Sequence, residues 1–189
     1  MHPVLSINKT KTTEAIALIL QLHQKSMILD HLPKMMYFID SLYLAQKNKS
    51  LTNDSYKITK GGLVPHQVGD IISELQSLGF VRMTQSGYIA LNKASRINSL
   101  SDLEIKIITH IYLQKRGINP FNILDWNYDL EFLQSHSKNH GNTLITPVHM
   151  MLQLGKTKGE ILTYINSQKP DVVELEKTSD VSKIAIAAI

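Results

Sequence analysis

Apolar residues recur at helical spacing along most of this chain. Over residues 33–47, Met35, Met36, Ile39, Leu42 and Tyr43 fall on one face and predict an amphipathic helix. Asp30 stands where it can cap that helix, and Pro33 suits a first turn, whose N–H groups lack intrahelical acceptors. Upstream, Ile16, Ile19, Leu20 and His23 share a face of a helix that Thr12 or Thr13 can cap, after an extended lead-in over residues 1–12. His23 reads as a helix-edge residue near the core. Val68, Ile71, Ile72 and Leu75 predict a third helix over residues 65–78, closed by Gly79. Residues 51–60 between these helices read as a loop or short helix, and Gly61-Gly62 marks a break.

Past Gly79 the period changes. Residues 80–84 and 87–91 read as two strands around Gln85-Ser86-Gly87, a β-hairpin. Ser101 and Glu104 have capping-box spacing ahead of Ile105, Ile107, Ile108, Ile111 and Tyr112, a helix that stops at Gly117. Asn119-Pro120 predicts the start of a helix bearing Leu124, Tyr128 and Phe132, and Trp126 reads as a core anchor. Residues 135–142 read as a polar, His-containing loop. Thr146-Pro147 opens a helix ended by Gly155, and Thr157 with Glu160 forms a second capping box for a helix to about Ser167. The fold class predicted is α+β, mainly α: six to seven helices around the 33–47 helix, with one small hairpin. Helix, glycine, strand, turn, strand is also a winged-helix-like order.

The domain predicted spans residues 1–168, with a core stretch at 32–80, the hairpin at 80–91 and C-terminal helices at 101–168. Residues 169–189 form a tail: a polar linker, then Ile184, Ala185, Ile186, Ala187, Ala188 and Ile189. An apolar tail is unfavourable in water unless something covers it. Its own domain or a second copy, as a homo-oligomer, would serve. The tail also resembles the small apolar C-termini recognised by AAA+ proteases, which would make the protein short-lived.

Composition narrows the chemistry. Of 189 residues, 43% are hydrophobic, enough for a sizeable core. With no cysteine there is no disulfide framework and no thiolate metal or redox site, as in a reducing cytoplasm. No apolar run is long enough to span a bilayer, and no secretory signal is visible at Met1-His2-Pro3-Val4. The net charge of +4 is compatible with nucleic acid or an acidic protein. The 65–78 helix carries Asp70 and Glu74 but no Lys or Arg, which disfavours readout of a polyanion by that helix. His136 and His140 stand four apart, yet Ser137 occupies the place where an HExxH site needs glutamate, so no metal or cofactor is expected. Asp40, Asp54 and Asp70 are the acidic groups of the core stretch, and no nucleophile elbow accompanies them. The residues describe a non-enzyme.

One run adds to this reading. Lys34, Tyr37, Phe38 and Asp40, then Leu51, Thr52, Asp54 and Tyr56, then Gly62, Val64 and Pro65 follow in the order of a KLLYFAD helix, a "pit-x-D-x-Y" loop and a GPVP turn. In this the chain resembles the SocA-like, or Panacea, antitoxin domains. Leu63 replaces the proline of Gly-Pro, and proline fixes φ where leucine does not. The resemblance implies a phage-associated protein that neutralises a partner toxin by direct binding, in some cases delivering it to a protease. It also implies that Tyr37, Asp40, Asp54, Tyr56, Gly62 and Pro65 form the family-like centre, structural or partner-binding. The alternatives are a winged-helix DNA-binding regulator and a phage counter-defence protein that binds a host factor.

Overall fold

Helix α2 (His31–Lys47) is the axis of the fold, and Leu32, Met35, Met36, Ile39 and Leu44 along it have no exposed surface. Burying each such side chain contributes roughly 1.5–3 kcal/mol, so a helix enclosed to this extent anchors whatever packs on it. The computed structural model describes residues 7–59, 62–93, 96–126, 128–140 and 144–167. Among these, seven α-helices and five short strands confirm a mainly helical α+β fold. α2 packs against α4 (Asp102–Lys115), α6 (Pro147–Gln153) and β3 (Gly62–Pro65), while α1 (Lys9–His23) packs on α4 and α3 (Val68–Ser77).

The helix starts show which capping signals are used. α1 begins at Lys9, three residues before Thr12, because the Asn8 side chain accepts from the Lys11 N–H (3.2 Å). Thr12 faces the core and its hydroxyl donates to the Asn8 carbonyl, so neither it nor Thr13 is the cap. α2 begins at His31, and Asp30 makes no capping bond. Its backbone is already helical (φ −63°, ψ −12°), whereas a capping side chain needs an extended residue beneath it. The boxes at Ser101/Glu104 and Thr157/Glu160 form as predicted, the second opening α7 (Lys158–Ser167).

Two predicted stretches take other forms. The 51–60 stretch ends in strand β2 (Tyr56–Thr59), which pairs antiparallel with β3 in a hairpin, and α3 therefore starts at Val68 because Pro65 belongs to β3. The helix expected from Asn119-Pro120 is instead a 3₁₀ turn (Ile123–Trp126), followed by α5 (Leu130–His140). Both Trp126 and Tyr128 are drawn into the core there, which one continuous helix does not allow, and Asp129 starts α5 by accepting from the Phe132 N–H (2.9 Å). Residues 135–140 accordingly lie in α5 rather than in a loop. The one predicted hairpin appears as β4 (Val81–Met83) and β5 (Tyr88–Leu91), and β1 (Met27–Ile28) completes a three-stranded sheet with β5 in the middle. The tail 169–189, with Ile184 to Ile189, lies outside the described residues.

Candidate functional site

One of the predicted residues, Asp40, is a buried carboxylate on which residues 50–56 close. Asp40, the tenth of the seventeen residues of α2, has no exposed surface. Its Oδ1 accepts from Ser50 Oγ (2.9 Å), the Leu51 N–H (2.8 Å) and the Thr52 N–H (3.0 Å). Its Oδ2 accepts from the Tyr56 hydroxyl (2.6 Å) and from the Thr52 hydroxyl. Five donors from residues 50–56 thus close on one side chain, folding that loop back on the helix. Burial pushes the Asp40 carboxyl above its ordinary value, against the opposite pull of the Thr52 and Tyr56 bonds. Burial, and then the Asp40 charge, push the Tyr56 hydroxyl well above the usual tyrosine value, so it stays a donor.

Asp54 does a second job of the same kind. Its Oδ1 accepts from the Ser55 N–H (2.7 Å), and its Oδ2 accepts from the Gln67 (3.0 Å) and Val68 (3.2 Å) N–H groups. Those are the first free amides of α3, and a carboxylate there satisfies donors that have no intrahelical partner. α3 is therefore capped from thirteen residues upstream, a cap that local spacing does not reveal. Burial pushes the Asp54 carboxyl up as well. Both carboxylates are enclosed and engaged by internal donors, which is an arrangement for holding a loop rather than for meeting a substrate.

Gly62 and Pro65 owe their identity to the hairpin. Tyr56 exchanges both its main-chain bonds (2.8 Å each) with Ile145, on the side away from β3. The Tyr56–Pro65 pair is therefore non-hydrogen-bonded, and by alternation so is Ile58–Leu63. Positions 63 and 65 consequently tolerate proline without loss of a ladder bond, and the departure at Leu63 costs the ladder nothing. Gly62 has φ +111°, and an added Cβ there would come within 3.0 Å of the Tyr128 ring. Tyr37 packs edge-on against Tyr56 (ring centroids 5.3 Å) and against Phe38 (5.2 Å), and burial, aided by the Asp129 charge, pushes its hydroxyl up to about 12. All six predicted residues are buried and gather around one half of α2 and the loop it holds.

A second cluster escaped sequence reasoning. His31 Nε2 contacts the Ile118 carbonyl (2.7 Å), Lys34 donates to the Pro120 carbonyl, and Lys115 donates to the Trp126 carbonyl (3.0 Å). Lys34 and Lys115 are buried, which lowers the pKa of both, and the Lys115 ammonium lies 4.3 Å from the centre of the Phe38 ring. Phe38 stacks between Trp126 and Tyr128. Segment 118–126 is thereby fastened to α2 and α4, yet it leaves Phe121 69% and Leu124 64% exposed. The signal in the sequence was Lys34 on the apolar face of α2.

The profile of the family described as "Antitoxin SocA-like, Panacea domain" matches residues 32–131, or 100 of the 189. The chain belongs to that family. The match begins in the first turn of α2 and runs through the Asp40 loop, both hairpins and the 118–126 segment into α5, so it takes in both Asp40 and Asp54 and, of the second cluster, Lys34 and Lys115, with His31 just ahead of it. Neither the curated proteins nor the solved structures yield a match.

The remaining sequence candidates are dispersed. Asp70 is exposed on α3, and Glu74 pairs with Lys9 (2.5 Å). His136, on α5, lies edge-on to His149 of α6 (4.8 Å). Among the described residues no three His, Asp or Glu side chains gather as metal ligands, and no helix is long and apolar enough to cross a membrane.

Proposed function

We propose that this Panacea domain is an antitoxin module that binds a toxin protein directly and blocks it, without a reaction of its own. Family membership across 32–131 carries this reading. The chemistry of the centre supports it, since the two carboxylates are occupied with holding the loop and α3. The six central residues act from inside, by fixing the shape that a partner meets. The gripping surface we assign is segment 118–126, because its exposed Phe121 and Leu124 sit on a backbone pinned at three carbonyls. Rigid, large apolar side chains lose little freedom on binding, which is what makes them anchors at interfaces. The setting proposed is the cytoplasm, with residues 1–168 as the binding unit and an AAA+ protease as a second partner that clears the bound toxin.

Co-expression with the neighbouring gene in a sensitive host tests this. Growth should be rescued by the native chain and lost with Phe121→Ser plus Leu124→Ser, the protein remaining folded. Capture of a host factor instead of a toxin, under mild salt, would overturn the antitoxin role in favour of counter-defence. Salt-dependent binding to a promoter fragment would favour the winged-helix reading, which the order α3, β4, β5 keeps in play.

A further inference from the structure

Among the described residues three helices open with a capping box, and one of the three closes it with a different chemical group. α4 and α7 use Glu104 and Glu160, whose carboxylates accept from the Ser101 (2.7 Å) and Thr157 (2.8 Å) N–H groups. α6 uses His149. Its Nδ1 accepts from the Thr146 N–H (3.1 Å), while the His149 N–H donates to Thr146 Oγ1 (3.5 Å). A main-chain N–H can only donate, so this bond fixes the tautomer: the Nδ1 lone pair faces Thr146 and the ring proton is on Nε2. Ile145, just ahead of the box, has no exposed surface and exchanges both main-chain bonds with Tyr56 (2.8 Å each).

Protonation takes that acceptor away. An imidazolium carries N–H on both nitrogens, so Nδ1 would aim a donor at a donor and the box would open. A carboxylate keeps its charge down to about pH 4, whereas an imidazole titrates near about pH 6.5. His136 of α5, itself buried, stands edge-on to His149 with ring centroids 4.8 Å apart, so a charge on one ring disfavours a charge on the other. The other titratable groups on the elements around α6 are engaged elsewhere. On α2, His31 and Lys34 reach the Ile118 and Pro120 carbonyls, Asp40 bonds to Tyr56, and Tyr37 packs on the Tyr56 ring. On α5, Asp129 accepts from Gln153 at the far end of α6 (3.0 Å), and Glu131 and Lys138 are exposed. Past α6, Lys156 donates to the Ala45 carbonyl (2.9 Å) and lies 3.7 Å from Glu160.

We propose that the Thr146–His149 box is a pH-sensitive latch: protonation of His149 opens it, frees the start of α6 and loosens the Ile145 strap on β2. This needs no toxin partner and stands apart from the antitoxin reading. Ring-nitrogen chemical shifts and amide hydrogen exchange on the purified full chain, from about pH 7.5 to about pH 5.5, test it. At the upper pH the shifts should show Nδ1 of His149 bare and Nε2 protonated. On acidification, after correction for the intrinsic pH dependence of exchange, the Thr146 and Ile145 amides should lose at least about fivefold in protection. The Ser101 and Thr157 amides, held by glutamates, should keep theirs. His149→Gln retains an acceptor and should hold Thr146 and Ile145 protected throughout, while His136→Phe should leave their loss in place. Equal protection at both ends of the range in the native chain would overturn the proposal, as would a proton on Nδ1 at the upper pH. So would a loss that His149→Gln shares or that His136→Phe abolishes.

Discussion

The two halves of α2 hold down loops by opposite chemistry. Just past its midpoint an acid, Asp40, gathers donors from a loop only ten to sixteen residues away. At the N-terminal end two bases, His31 and Lys34, reach carbonyls of a segment eighty-six or eighty-seven residues away, and Lys115 of α4 adds a third tie. The acid knot is closed: the Asp40 carboxylate, Thr52 and Tyr56 have essentially no exposed surface. The basic clamp is closed on its inner side only, and it presents Phe121 and Leu124 to solvent. A buried polar group is tolerated when partners satisfy it, so either arrangement can sit in a core. One shapes the interior and the other offers a surface.

Breaking the knot should cost most. Asp40→Ala leaves two main-chain amides and three hydroxyls without their acceptor, and stability should fall by about 3 kcal/mol or more. Denaturant unfolding would measure this, and an unchanged midpoint would show that the loop does not depend on Asp40. Lys34→Met keeps the apolar stem but removes the donor to Pro120, and should cost about 1–3 kcal/mol. Exchange of the amides at 118–126 should quicken in that variant, while the Thr52 amide stays protected.

Gly62→Ala should come next, at about 1–2 kcal/mol, through a positive φ and the approach of Tyr128. Pairing it with Tyr128→Ala, which vacates the ring, should relieve the steric part but not the backbone part. A subtler contrast is the pH profile of Asp40→Asn. Folding raises the Asp40 pKa above its ordinary 3.8, chiefly by burial, so the folded state holds that proton more tightly than the unfolded chain. The native chain's stability relative to the variant should therefore be greatest below 3.8 and decline as pH rises through the folded value. Melting temperatures from pH 3 to 7 would show it, and a difference that grows with pH would reverse the sign. Smallest of all, Phe121→Ser with Leu124→Ser should change stability by no more than about 0.5 kcal/mol, both being surface sites.

Much of the knot was legible because its members lie close in sequence and follow a family order. Asp40, Thr52, Asp54 and Tyr56 could be singled out, but not their mutual bonds. The hairpin 56–65 was missed because β2 and β3 are four residues each, too short for a period to show, and because Tyr56 is bridged by Ile145 from far along the chain. The clamp was missed for another reason. A lysine that donates to a backbone carbonyl needs no sequence partner, since every residue carries that acceptor. The Asn119-Pro120 signal pointed to a helix, and the burial of Trp126 and Tyr128 overrode it.

The sequence by itself determined the helices with a strong apolar period, the capping boxes at Ser101 and Thr157, the β4–β5 turn and the family, because these rest on interactions within a few residues or on a fixed order of residue types. Only the tertiary structure decided that Asp54 caps α3, that three bases pin segment 118–126, and that β4 is left an edge. Each of those is a meeting of groups distant along the chain, and what fixes it is the requirement that buried polar atoms find partners wherever packing brings them.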